Sequence, residues 1–128
     1  MSTNMNYFNS CCARILINLH ESFPIPMTLR SEDYHILEGP EEDIILGPDI
    51  FSGTVAFLKK EGFITHGVVF YGGYDEVQLT LNGLMLLDST PEVLEKSIYR
   101  YLKDMVKQES PRLASQILYG IFTAVLKS

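Results

Sequence analysis

The sequence predicts an α+β fold, mostly α, with one β-hairpin near the middle and two additional helices at the C-terminal end. Three observations carry this. Apolar residues recur at helical spacing over most of the chain. One stretch departs from that period: "FITHGVVFY" and "DEVQLTL", rich in β-branched and aromatic residues, flank "GGY". Finally, 128 residues with a hydrophobic fraction of 46% and a charged fraction of 20% suit a globular chain that buries its own core. The expected division is a core over residues 1–88 and a helical extension over 89–128.

Each element follows from local signals. Phe8, Cys11, Cys12, Ile15, Leu16 and Leu19 share a helical stripe, which predicts a helix from Asn6 to Ser22 that ends before Pro24. In "FPIPMTL" two prolines two apart forbid a helix and favour an extended edge segment. "SEDYHIL" begins a short helix, with Ser31 as its cap and acidic residues in its first turn. Gly39, Pro40, Gly47 and Pro48 then mark "EGPEEDIILGPDI" as a loop. Helical periodicity resumes from Asp49 to Glu61 through Ile50, Val55, Phe57 and Leu58, with Gly62 as a C-terminal stop. After the hairpin, Thr80 is placed to cap "LNGLMLLD". "STPEVLEKSIYRYLKDMVKQE" carries a cap at Thr90, Pro91 at the first helical position, and a stripe of Val93, Leu94, Ile98, Tyr101, Leu102, Met105 and Val106. The last segment, "SPRLASQILYGIFTAVLKS", has a wide apolar face that includes Leu113, Ile117, Leu118, Ile121, Phe122 and Val125. Its back is unusually uncharged, which fits either packing within the chain or a homodimer interface.

The segment "FSGTVAFLKKEGFI", the hairpin and "VQLTLNGLMLL" together resemble winged helix-turn-helix proteins. In those a helix ends in an E-G-[aromatic or aliphatic]-I pattern and L-T-x-x-G follows the wing. The resemblance covers Asn6 to about Asp88. It implies that the helix over Asp49 to Glu61 is a recognition helix presenting Ser52, Gly53, Thr54, Lys59 and Lys60. It also implies that the hairpin is a wing with its tip at Tyr71 to Glu76.

The chemistry at these positions suits a protein partner better than a duplex. DNA-binding surfaces gather Lys and Arg because phosphate neutralisation supplies much of the affinity. Here the wing tip offers Tyr71, Tyr74, Asp75 and Glu76 and no cation, and the helix lacks the Arg, Asn or Gln that read base edges. The formal charge is −6, and its distribution sharpens the point. Four basic residues face twelve acidic ones up to Asp88, a net of −8, whereas residues beyond it sum to +2. A loop holding Glu38, Glu41, Glu42 and Asp43 is also longer than the turn of about 3–4 residues that joins the helices of a DNA-binding helix-turn-helix. The favoured function is therefore a regulatory module that binds a protein partner, or itself, through an aromatic wing tip and an acidic surface. The alternative is a dimeric transcriptional regulator on double-stranded DNA, with Lys96, Arg100, Lys103 and Lys107 supplying phosphate contacts.

Other classes receive no support from the residues. No nucleophile with a base, no phosphate-binding loop and no metal-ligand spacing among His20, His35 and His66 is visible, so no enzyme, cofactor or metal is expected. Cys11 and Cys12 are neighbours, which suits helix packing rather than a disulfide framework. No apolar run approaches the roughly 20 residues of a membrane span, and "MSTNMNYFNS" is unlike a secretory signal, which predicts a cytoplasmic protein with no membrane contact.

Overall fold

The computed structural model describes residues 3–34, 41–92 and 94–108. The fold is α+β and mostly helical, with a small antiparallel sheet. Helix α1, Thr3–Ser22, is the centre of the packing. Its Cys12, Ile15, Leu16 and Leu19 are buried, and it meets α2, Glu41–Lys60, on one side and α4, Ile98–Gln108, on another. Phe8 of α1 sets its ring edge-on to Phe57 of α2, with centroids 5.4 Å apart. Among the described residues no helix is long and apolar enough to cross a membrane.

Helix α2 corrects the expected loop. It begins at Glu41 and carries Pro48 inside it, where a break was predicted. Proline removes one backbone donor and crowds the preceding turn, a penalty of about 3 kcal/mol in a helix interior. Packing outweighs that penalty here, because buried Gly47, Phe51, Val55 and Leu58 lie on one face of a single continuous helix. The C-terminal stop is where the sequence puts it. Gly62 adopts φ +83°, its N–H reaches Lys59 O at 3.0 Å, and Phe63 N–H reaches Leu58 O at 2.9 Å. This doubly bonded ending leaves Phe63 and Leu58 both buried.

The sheet runs β1 (Met27–Arg30), β4 (Gly73–Leu79), β2 (Ile64–Thr65), with β3 (Val69–Phe70) also paired to β4. Only the end of the "FPIPMTL" segment, from Met27, becomes an edge strand, and a single 3-10 turn, Ser31–Tyr34, follows it. The first half of the hairpin is two short strands rather than one, interrupted at His66 to Val68. Between Val69↔Tyr74 and Phe70↔Gly73 only Tyr71 and Gly72 remain to make the turn, and Gly72 takes φ +83°. Against β1 the register slips by one residue, with Met27↔Val77 giving way to Leu29↔Tyr74, so β4 bulges over Asp75 and Glu76. Glu76 takes φ +50°, and Asp75 Oδ1 accepts both the Glu76 N–H at 2.8 Å and the Thr28 hydroxyl at 3.3 Å.

Thr80 joins the sheet to α3, Leu81–Asp88. Its hydroxyl accepts the Gly83 N–H at 3.1 Å, the predicted cap, and donates to Gly62 O at 2.6 Å, so one side chain ties the end of α2 to the start of α3. The following helix starts later than Thr90 and Pro91 suggest. Residues around Pro91 make one turn, with the Leu94 and Glu95 amides on Pro91 O, and Glu95 then takes φ +58° and reverses the chain. Ser97, not Thr90, accepts the first free amide, that of Arg100, at 3.1 Å. The reversal brings Ile98, Leu102 and Met105 into the same buried cluster as α1.

Candidate functional site

The hairpin tip overhangs a cleft of about 480 Å³. Its floor and walls come from three elements that are distant in sequence: the end of β1 with its 3-10 turn, the middle of α2, and the β3–β4 turn. Pairing of Arg30 with Gly73, and the Ser31 N–H on Gly72 O at 2.8 Å, bring β1 under the tip. Gly73 permits this approach, since a Cβ there would lie 2.6 Å from Leu29 O and 2.5 Å from the Phe70 ring.

The lining is aromatic with a charged rim. Phe51 is buried at the base and its ring lies 5.8 Å from that of Tyr74. Phe70 and Tyr71 also line the cleft, and the Arg30 guanidinium lies 5.4 Å above the Phe70 ring. Glu32 of the 3-10 turn and Asp49 of α2 are exposed on the rim. No ion pair among the described residues includes Arg30, Glu32 or Asp49.

The sequence-predicted residues separate at this site. Tyr71 stands fully exposed at the turn, at 103%. Tyr74, by contrast, is half-buried between Phe51 and His66, whose ring is 4.9 Å away. Asp75 and Glu76 belong to the bulge rather than the tip, and Asp75 is occupied in holding it. On α2, Ser52, Gly53, Lys59 and Lys60 are exposed, and Ser52 reaches the cleft. Thr54 is not on that face: it is 1% exposed, and its hydroxyl donates to Ile50 O at 2.6 Å. The dimer-helix residues Leu113, Ile117, Leu118, Ile121, Phe122 and Val125 lie outside the described residues, as does His35.

The C-terminal cations are partly engaged elsewhere. Lys103 Nζ pairs with Glu21 at 2.9 Å, and Lys96 Nζ, which precedes α4, pairs with Asp104 at 2.6 Å. His20 bonds Asp88 at 2.7 Å and stacks on Tyr99, while His66 bonds the Gly67 carbonyl. Among the described residues no group of three or more His, Cys, Asp or Glu side chains gathers as metal ligands do. Both cysteines are buried in the core. Loss of water pushes the Cys11 thiol up to about 11, with a hydrogen bond to Thr54 opposing it, and pushes Cys12 higher still.

Arg30, Glu32, Asp49 and Phe70 were not singled out by sequence reasoning. The edge-strand signal of "FPIPMTL" was available, but not the partner strand that pairs Arg30 with Gly73 and so sets it at the hairpin. Comparison with known proteins finds no family model, no curated protein and no solved structure that matches this chain.

Proposed function

We propose that the chain is a non-enzymatic winged-helix module that binds a protein partner through its hairpin tip and the cleft beneath it. The topology that supports a winged-helix reading is the strand order β1-β4-β2, with α2 between the edge strand and the hairpin and α3 packed after it. The observation that carries the partner reading is Tyr71. A tyrosine exposed at 103% on a tight turn, beside exposed Val68 and Val69 and lining an aromatic cleft, is a large apolar anchor that no described side chain covers. Glu32 and Asp49 against the single Arg30 make the rim acidic, which favours a basic partner and disfavours phosphate.

A dimeric transcriptional regulator on double-stranded DNA is the second reading, favoured by the exposure of Ser52, Gly53, Lys59 and Lys60 along α2. Two measurements decide between them. Titration with random duplexes at about 50 mM salt is expected to give no binding, and micromolar binding with a steep salt slope would overturn the protein-binding reading. A partner captured by the wild-type chain is expected to be lost with Tyr71→Ala, and full retention would take the wing out of the interface.

A further inference from the structure

We propose that the cleft under the hairpin tip receives an arginine side chain presented by an extended segment of the partner, an inference that rests on the protein-binding reading above. At about 480 Å³ the cleft falls within the range of roughly 300–1,000 Å³ typical of ligand sites, which suits one long side chain and its neighbours rather than the length of a helix. Its aromatic wall already holds a guanidinium. Arg30, from β1, lies 5.4 Å over one face of the Phe70 ring, within the distance at which a planar cation is attracted to a π-face. Tyr71 adds a further ring that none of the described residues covers.

The carboxylates complete the match. Glu32 and Asp49 reach the rim from different elements, and neither is paired with Arg30 or any other described cation. Two carboxylates with no ion-pair partner among the described residues, lining the same cleft as Phe51, Phe70 and Tyr71, form a receptor for a group that is both cationic and flat. Guanidinium meets both demands, since it stacks on rings and bonds carboxylates in a bidentate fork. A lysine ammonium is a compact, strongly hydrated point charge and uses the rings less well. Val68 and Val69, 72% and 60% exposed beside the turn, give the flanking residues of the segment apolar contact.

The test is an amide chemical-shift titration of the full chain with a short, otherwise uncharged peptide bearing one arginine, and with versions in which lysine or citrulline replaces it. Citrulline keeps the shape and loses the charge. The expected result is that the arginine peptide shifts Ser52, Tyr71, Gly72 and Gly73. Binding should weaken by about tenfold or more with citrulline, and by less with lysine. Asp49→Asn with Glu32→Gln, and separately Tyr71→Ala, are expected to weaken it comparably; all three positions are exposed, and the same spectra report whether each variant is folded. Equal binding of the citrulline peptide, shifts confined to other surfaces, or no shift at millimolar peptide would each overturn the arginine proposal. A mixed-sequence duplex added to the same samples separates the two readings. Cleft shifts with the duplex but not the peptide would remove the protein-binding reading as well, whereas silence from both removes only the arginine.

Discussion

Two glycines show how the same residue type answers to different neighbours. Gly53 lies within α2 with nothing within 4 Å of where a Cβ would stand, so its only effect is the conformational freedom it gives the unfolded chain. Gly53→Ala is expected to stabilise the fold by about 0.5–1 kcal/mol. Gly83, in the first turn of α3, packs against backbone: a Cβ would meet Phe63 O at 2.2 Å. Because a backbone carbonyl does not swing aside as a side chain does, Gly83→Ala is expected to destabilise by roughly 1–3 kcal/mol. Urea melts check the pair through opposite displacements of the midpoint, and displacements of the same sign would contradict the packing at one of the two sites. The cysteines make a kinetic prediction. Buried thiols held well protonated should react with a disulfide reagent at pH 8 only as fast as the chain opens, and both should label at once in denaturant.

At the scale of elements, α4 is braced on α1 by one polar cluster. Lys103 Nζ and the Tyr99 hydroxyl both donate to Glu21 Oε2 at 2.9 Å, and Lys103 also reaches the Tyr99 oxygen at 3.2 Å. These bonds hold the Glu21 carboxyl below its ordinary value of 4.5 and raise the Lys103 amine above 10.5. A lowered carboxylate contributes stability that is complete above pH 4.5 and fades as pH falls through the lowered value. A raised amine contributes stability that is complete below pH 10.5 and fades as pH rises through the raised value. Glu21→Gln is therefore expected to lower Tm slightly between those limits, with the gap to wild type closing at both extremes and in high salt, because the pair is exposed. A gap constant across pH would place the effect in packing instead. The same scale explains what was legible in the sequence. Gly62 and the Thr80 cap act within a few residues of themselves, and each is where local rules put it, whereas the hairpin turns at Tyr71–Gly72, ahead of the expected "GGY", because Gly73 and Tyr74 pair with β1 and β3. Pro48, Pro91 and Thr54 were misread because burial against distant residues overrides local preference: α2 continues through one proline, the chain reverses after the other, and Thr54 turns inward. Of the cleft, Tyr71 was readable as an exposed aromatic on a turn. Arg30, Glu32 and Asp49 were not, because only the β1–β4 pairing and the packing of α2 set them beside it.

Across the whole molecule, the division of the sequence at Asp88 does not coincide with a boundary in the core. Ile98 and Leu102 are fully buried, and they share one cluster with Cys12, Ile15 and Leu19 of α1 and with Leu87 of α3. A helix whose apolar stripe closes the face of another is part of that helix's folding unit, since neither face is stable in water alone. Leu102→Ala tests this. Removing a fully buried leucine is expected to destabilise by about 2–5 kcal/mol, through lost transfer energy and the cavity left behind. If α4 folds with the rest, the loss should appear as a lower midpoint for one transition, superimposable whether followed by far-ultraviolet dichroism, which averages all helices, or by a probe placed on the hairpin. Strands β2 and β3 of the hairpin pair with β4, and the main packing partners of α4 are α1 and α3, so a probe on the hairpin reports on a different part of the fold. A hairpin signal that holds its wild-type midpoint while helix is lost early would mean that α4 is an appendage. A common downward displacement would mean that the hairpin tip owes its stability in part to a helix packed against α1.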